Sequence, residues 1–157
     1  DGDSASAAEL IVLLSSLAEV PVRQNLAITG SVNQKGIIQP IGGVNEKIEG
    51  FYHTCKAKGL TGDQGVIIPV QNKKHLMLQK EVVEAIQNQK FHIYTIETVD
   101  EGLEIMTGIE AGTRKKDGKY PENSVNFLVD RKLERLATEI RKYGKSQKGN
   151  DEENGED

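Results

Sequence analysis

The 157 residues contain no tryptophan and one cysteine, and aromatics make up only 4% of the chain. A core built from these residues must be mainly aliphatic. A lone Cys55 cannot close an internal disulfide, which fits a reducing compartment. No apolar run reaches the roughly 18–20 residues needed to cross a bilayer, and no basic segment leads into a signal-like apolar run. A soluble, cytoplasmic chain without a membrane segment is therefore expected. Basic excess is missing too: the net charge of −4 argues against a general nucleic-acid binder. Arg114-Lys115-Lys116 is flanked by Glu110 and Asp117 and reads as a solvated loop. Three scattered histidines and one cysteine give no metal-ligand pattern. No G-x-x-x-x-G-K-S/T string occurs, so the Gly42-Gly43 turn is not a phosphate loop and no cofactor site is expected here. An initiator methionine is also missing. A chain opening three residues before its most reactive-looking serine reads as part of something longer.

What is present suits one domain with an appendage. Hydrophobic residues at 36% and a mean hydropathy of −0.49 imply a modest core, and 16 glycines against four prolines imply many tight turns. Residues 4–20 favour helix, with Asp3 or Ser4 as cap and Pro21 as stop. Leu10 to Leu14 is apolar on every face, which predicts a buried helix. Asn25 to Val32 reads as a strand breaking at Gly30, Asn33 to Gly36 as a turn, and Gly36 to Gln39 as the returning strand. A helix over about 45–58 carries Ile48, Phe51, Tyr52 and Cys55 at core spacing. Gly65 to Val70 reads as a covered strand. Residues 71–89 look helical with Val82, Val83 and Ile86 inward, Phe91 to Ile96 reads as a strand, and Val99 to Met106 as a helix closing at Gly108. The expected fold is α+β, with helices against a small mixed sheet. A linker over 109–123 leads to a helix over 124–144 with Val125, Val129, Leu133, Leu136 and Ile140 on one side. Residues 145–157 form an acidic tail unable to bury apolar surface, for which disorder is expected.

Two residues stand out chemically. Ser4 lies where a helix opens, and a serine there is more often a plain cap than a nucleophile. Lys47 lies in the first turn of another helix, where the macrodipole disfavours a cation, and burial of that turn would favour the neutral amine further. A neutral lysine can take a proton from a serine hydroxyl. His53, six residues along the same helix, lies on a different face. His75 and His92 have no partner suggested by spacing, and Cys55 belongs to an apolar stripe.

Four stretches follow one another in register: Asp1 to Ser6 (DGDSAS), Pro21 to Gln24 (PVRQ), Ala27 to Ser31 (AITGS) and Gln39 to Ile48 (QPIGGVNEKI). Together with the strand Val66 to Pro69, this series resembles the proteolytic domain of Lon proteases. The likeness runs from residue 1 to about Gly108. The Asp-Ser-Ala-Ser form is closer to the B-type and bacterial Lon-homologue branch than to the A-type, and Pro121 to Asn126 is similar to the C-terminal extension of that bacterial branch. The resemblance implies a serine endopeptidase with a Ser–Lys dyad: Ser4 as nucleophile, Lys47 as general base, Thr29 holding the lysine, and Asp1 at an acidic position near the dyad. Backbone N–H groups near Ser4 are the expected oxyanion donors. The resemblance also implies polypeptide substrates, an AAA-type ATPase domain upstream in the same chain that uses ATP and Mg, and a homo-hexamer. Two other readings stand beside it. One is a Lon-like assembly or interaction module with catalysis lost. The other is an unrelated serine hydrolase acting on a small ester, with His53 as base.

Overall fold

The computed structural model describes residues 2–153, with side chains through Tyr143. A 3-10 turn over Asp3–Ala5 leads into α1 (Ser6–Ala18). Then come β1 (Leu26–Ile28), β2 (Ser31–Val32), β3 (Ile38–Gln39), α2 (Val44–Lys58), β4 (Gly65–Pro69), α3 (Lys80–Gln87), β5 (His92–Ile96), α4 (Val99–Thr107) and α5 (Val125–Glu153). The fold is α+β. Strands β1, β4 and β5 pair in parallel, in that order, while β2 and β3 form a separate antiparallel hairpin. The mixed sheet expected from the sequence is thus divided into a parallel sheet and a hairpin.

All five residues of the central strand β4 are buried, which is why its sequence shows no polar alternation. Successive side chains point to opposite faces. Ile67 joins a core with Ala7, Ile11 and Leu103, whereas Val66 and Ile68 join a second core with Ile48, Tyr52, Val82 and Phe91. Helices α1, α4 and α5 therefore cover one face of the sheet, and α2 and α3 cover the other. Tyr52 meets Phe91 edge to face, with ring centroids 5.3 Å apart. These two rings are the main aromatic contact in an otherwise aliphatic interior.

Several local expectations need correction. Helix α1 buries Ala7, Ile11, Ser15 and Ala18, but Val12 and Leu13 on its other side are each 57% exposed. A 3.6-residue period turns some residues of any all-apolar run away from a one-sided core. Neither Asp3 nor Ser4 caps α1; its N-cap is Ala5 without a side-chain bond.

Residues 71–89 do not form one helix. A 3-10 helix over Val70–His75 is followed by extended backbone, and α3 begins only at Lys80. Side chains of α2 draw that backbone out of a helix: Asn45 Oδ1 accepts from Met77 N at 2.9 Å, and Glu49 Oε1 from Gln79 N at 2.8 Å. Such side-chain bonds compete with helical ones. Within α3, Val82 and Ala85 are buried, while Val83 is 38% exposed.

Helix α5 packs on α1 through Val125 and Val129, but Leu133 and Ile140 are exposed. It runs on to Glu153, past position 144 where the sequence reading ends it. Lysine, glutamine and glutamate retain helix propensity even where hydrophobicity is low. Residues 154–157 of the expected tail lie outside the described residues. No helix among the described residues is long and apolar enough to cross a membrane.

Candidate active site

The site forms where three pieces of chain meet at the carboxyl end of β1. Strand β1 ends at Ile28, and Thr29 N still donates to Ile67 O at 3.0 Å, so Thr29 is held by the sheet and is buried. Gly30 follows. A Cβ there would lie 3.1 Å from Ile38 Cγ2 and 3.7 Å from Ala7 Cβ, so the absence of a side chain lets the hairpin and α1 close in. Gly30 N donates to Ser4 O at 2.9 Å, and Ala7 N donates to Gly30 O at 3.1 Å. The 3-10 turn bearing Ser4 is thereby fastened to the end of β1.

Lys47 arrives from the opposite face. The loop over 40–43 ends in Gly43, whose left-handed backbone (φ 66) starts α2; a non-glycine residue would be strained there. Lys47 N donates to Gly43 O at 3.1 Å. The approach of the loop is set by Asn72, only 4% exposed, which bonds both backbone groups of Ile41. Ile41 N donates to Asn72 Oδ1 at 3.0 Å, and Asn72 Nδ2 donates to Ile41 O at 2.9 Å.

These supports place Lys47 Nζ 2.6 Å from Ser4 Oγ and 3.3 Å from Thr29 Oγ1. The Thr29 hydroxyl donates to Ser4 O at 3.2 Å. A hydroxyl has one proton, and that proton is committed to the Ser4 carbonyl, so Thr29 can only accept from Lys47. An amine that donates one N–H to Thr29 is left with its lone pair free to face Ser4. The sequence placed Ser4, Lys47 and Thr29 together, and the structure brings all three within hydrogen-bonding distance. Asp1 lies outside the described residues.

Other parts differ from expectation. Ser4 lies in a 3-10 turn just before the α-helix proper, and Ala5 N is drawn back to Gly2 O at 3.4 Å. That N–H, an expected oxyanion donor, is thus engaged in closing the turn. Lys47 is exposed, so the turn that carries it is not a buried one.

The partner of Ser4 Oγ is Lys47, not a histidine. His53 Nδ1 faces Glu81 at 3.5 Å, and His92 Nε2 meets Gly62 O at 2.8 Å. Burial pushes the Cys55 thiol up, against thiolate chemistry. Among the described residues no group of three or more His, Cys, Asp or Glu could hold a metal.

Two contributors escaped the sequence reading. Asp3, considered only as a cap, accepts from Ser31 Oγ at 2.7 Å, and Ser6 Oγ accepts from Val32 N at 3.0 Å. These partners are separated by 28 and 26 positions, so no local spacing signals them. The cleft, about 390 Å³, is lined by Asp3, Ser4, Ser31, Pro40, Ile41, Gly42 and Lys47.

A hydroxyl with an amine against it, on a rigid α+β frame and open to an exposed cleft, has the form of a nucleophile with its proton acceptor. Comparison with known proteins gives the family. The model of the Lon protease (S16) C-terminal proteolytic domain matches residues 1–108, and the chain belongs to that family. It is 53% identical over 109 residues to a Lon protease homolog of Escherichia coli, covering 69% of this chain and 19% of that protein. A Lon protease homolog of Haemophilus influenzae is 43% identical over 142 residues, 90% of this chain and 24% of the relative. An archaeal Lon protease of Thermococcus kodakarensis is 38% identical over 105 residues, 67% and 15% of the two lengths. The chain spans about a quarter or less of the length of these relatives.

Proposed function

We propose that this chain carries the peptide-bond chemistry of a Lon-type serine endopeptidase, with Ser4 and Lys47 as a catalytic dyad. The observation supporting this is the 2.6 Å separation of Lys47 Nζ and Ser4 Oγ, with Thr29 touching both residues. The amine form of Lys47 takes the Ser4 proton as Oγ attacks a peptide carbonyl. The resulting ammonium then gives that proton to the departing amine, leaving an acyl-enzyme. A water, deprotonated by Lys47, attacks the ester carbonyl, and the proton returns to Ser4 Oγ as the acid leaves. Thr29 keeps the amine aimed throughout. Backbone N–H groups of the Ser4 turn are the candidate oxyanion donors.

On this reading the chain acts on polypeptides, within a longer ATP-dependent protein whose AAA-type ATPase domain feeds a hexameric, cytoplasmic protease. ATP and Mg would serve that other domain. The sequence here has no phosphate loop, and no step above is routed through a nucleotide.

The test is labelling of the full-length protein by a fluorophosphonate or a peptidyl boronate, alongside peptide hydrolysis. Wild type is expected to react at Ser4, and Ser4→Ala and Lys47→Ala to lose both labelling and turnover. Normal turnover by Lys47→Ala at neutral pH removes the dyad. Folded wild-type protein that is never labelled and never cleaves makes the domain an assembly module.

A further inference from the structure

The cleft carries an unexplained charge. Asp3, immediately before Ser4, and Lys47 both line it, yet none of the ion pairs among the described residues involves either one. Glu46, next to Lys47 on α2, lies over Gly43: a Cβ there would be 3.7 Å from its Oε2. The Asp3 carboxylate is occupied elsewhere, accepting from Ser31 Oγ at 2.7 Å. Ser31 is only 5% exposed, so its hydroxyl is a fixed donor.

This arrangement matters because of what a free carboxylate would do. An acid within about 4–6 Å of an ammonium favours the charged form, and an ammonium has no lone pair with which to take a proton from serine. We propose that Ser31 is a positioning residue: it detains the Asp3 carboxylate and so leaves Lys47 to Ser4 and Thr29. The inference rests on the Ser4–Lys47 reading above.

The turn itself does not depend on this bond. Its backbone is held by Gly30 N and Thr29 Oγ1 to Ser4 O, by Ala7 N to Gly30 O, and by Ser6 Oγ to Asp3 O at 2.9 Å. Removing the Ser31 hydroxyl thus frees the Asp3 side chain while the main chain stays tied. The freed acid can then turn to the amine.

The test measures the rate of fluorophosphonate labelling at neutral pH in the full-length protein. That rate reads the fraction of the protein whose Lys47 is free to accept the Ser4 proton. Ser31→Ala is therefore expected to label at least about tenfold more slowly, and Ser31→Thr, which keeps a hydroxyl, to recover most of the rate. In an Asp3→Asn background the same Ser31→Ala change should have no further effect, because no charge remains to be detained. An equal loss in both backgrounds, or no loss from Ser31→Ala alone, overturns the proposal. If Ser31→Ala lacks a thermal transition, Asp3→Glu replaces it. Its longer side chain carries the carboxylate past Ser31, so the same slowing is expected, and wild-type labelling overturns the idea. Failure of the wild type to label at all is a failure of the dyad, and is thereby distinguished from failure of the Ser31 role.

Discussion

Replacing Thr29 with valine separates the threonine's structural work from its chemical work. Valine has nearly the same shape and is at home at the end of a buried strand, so packing is preserved and only the hydroxyl is lost. Two contacts disappear, the donation to Ser4 O at 3.2 Å and the acceptance from Lys47 Nζ at 3.3 Å. Ser4 O keeps its bond from Gly30 N at 2.9 Å, so no buried acceptor is orphaned. The cost to folding should be that of one ordinary hydrogen bond, about 0.5–1.5 kcal/mol. For a chain of this size each kcal/mol moves the midpoint by about 2–4 °C.

The chemical cost is larger. With Thr29 gone, one of the two contacts aiming the amine is lost, and a misaimed base costs about tenfold to a hundredfold in kcat, or about 1.4–2.7 kcal/mol. Substrate binding is untouched, so KM should hardly move. The assay is peptide hydrolysis by the full-length protein, with kcat and KM separated and a thermal melt run in parallel. Thr29→Ser is the control and should recover most of the rate. Wild-type kcat for Thr29→Val, or a loss that follows the melting temperature and is not recovered by serine, refutes the argument.

Two other perturbations probe the supports of the site. Asn72→Ala leaves both backbone groups of Ile41 without their partners and should cost about 1–3 kcal/mol, read as a lower denaturant midpoint, with kcat reduced because the loop leading to Lys47 shifts. Glu19 binds Lys132 at 2.6 Å and ties α5 to the end of α1; its hydrogen bond to Lys132 holds the Glu19 carboxyl below the usual carboxylate range. A lowered folded value means that its stabilising contribution is present above the unfolded carboxylate range and is lost as pH falls through the lowered value. Glu19→Gln should therefore lower the melting temperature slightly at neutral pH and not at all in strong acid, whereas an equal effect at both pH values removes the ion pair as the cause.

The proximity of Ser4, Lys47 and Thr29 was legible because each sits in a contiguous stretch whose order along the chain is itself informative. Asp3 and Ser31 were not, since their pairing exists only once β2 lies beside the Ser4 turn. The break in residues 71–89 was hidden for a related reason: the groups that interrupt the helix, Asn45 and Glu49, belong to another element. Leu10 to Leu14 shows the limit of periodicity. Where every residue is apolar, the pattern cannot say which face meets the core, and Val12 and Leu13 took the exposed side. The covered strand over Gly65 to Pro69 was easier, because a five-residue apolar strand such as β4 is stable only when covered on both sides.

The two cores on opposite faces of β4 have a bearing on when this chain can act. Ser4 is set by α1, which docks on one face, and Lys47 by α2, which docks on the other. A nascent chain with only one face assembled holds an ordinary alcohol or an ordinary lysine, never the pair. If the pair is the dyad proposed above, its reactivity is a readout of completed folding: it exists only once both halves of the interior have closed around the same strand.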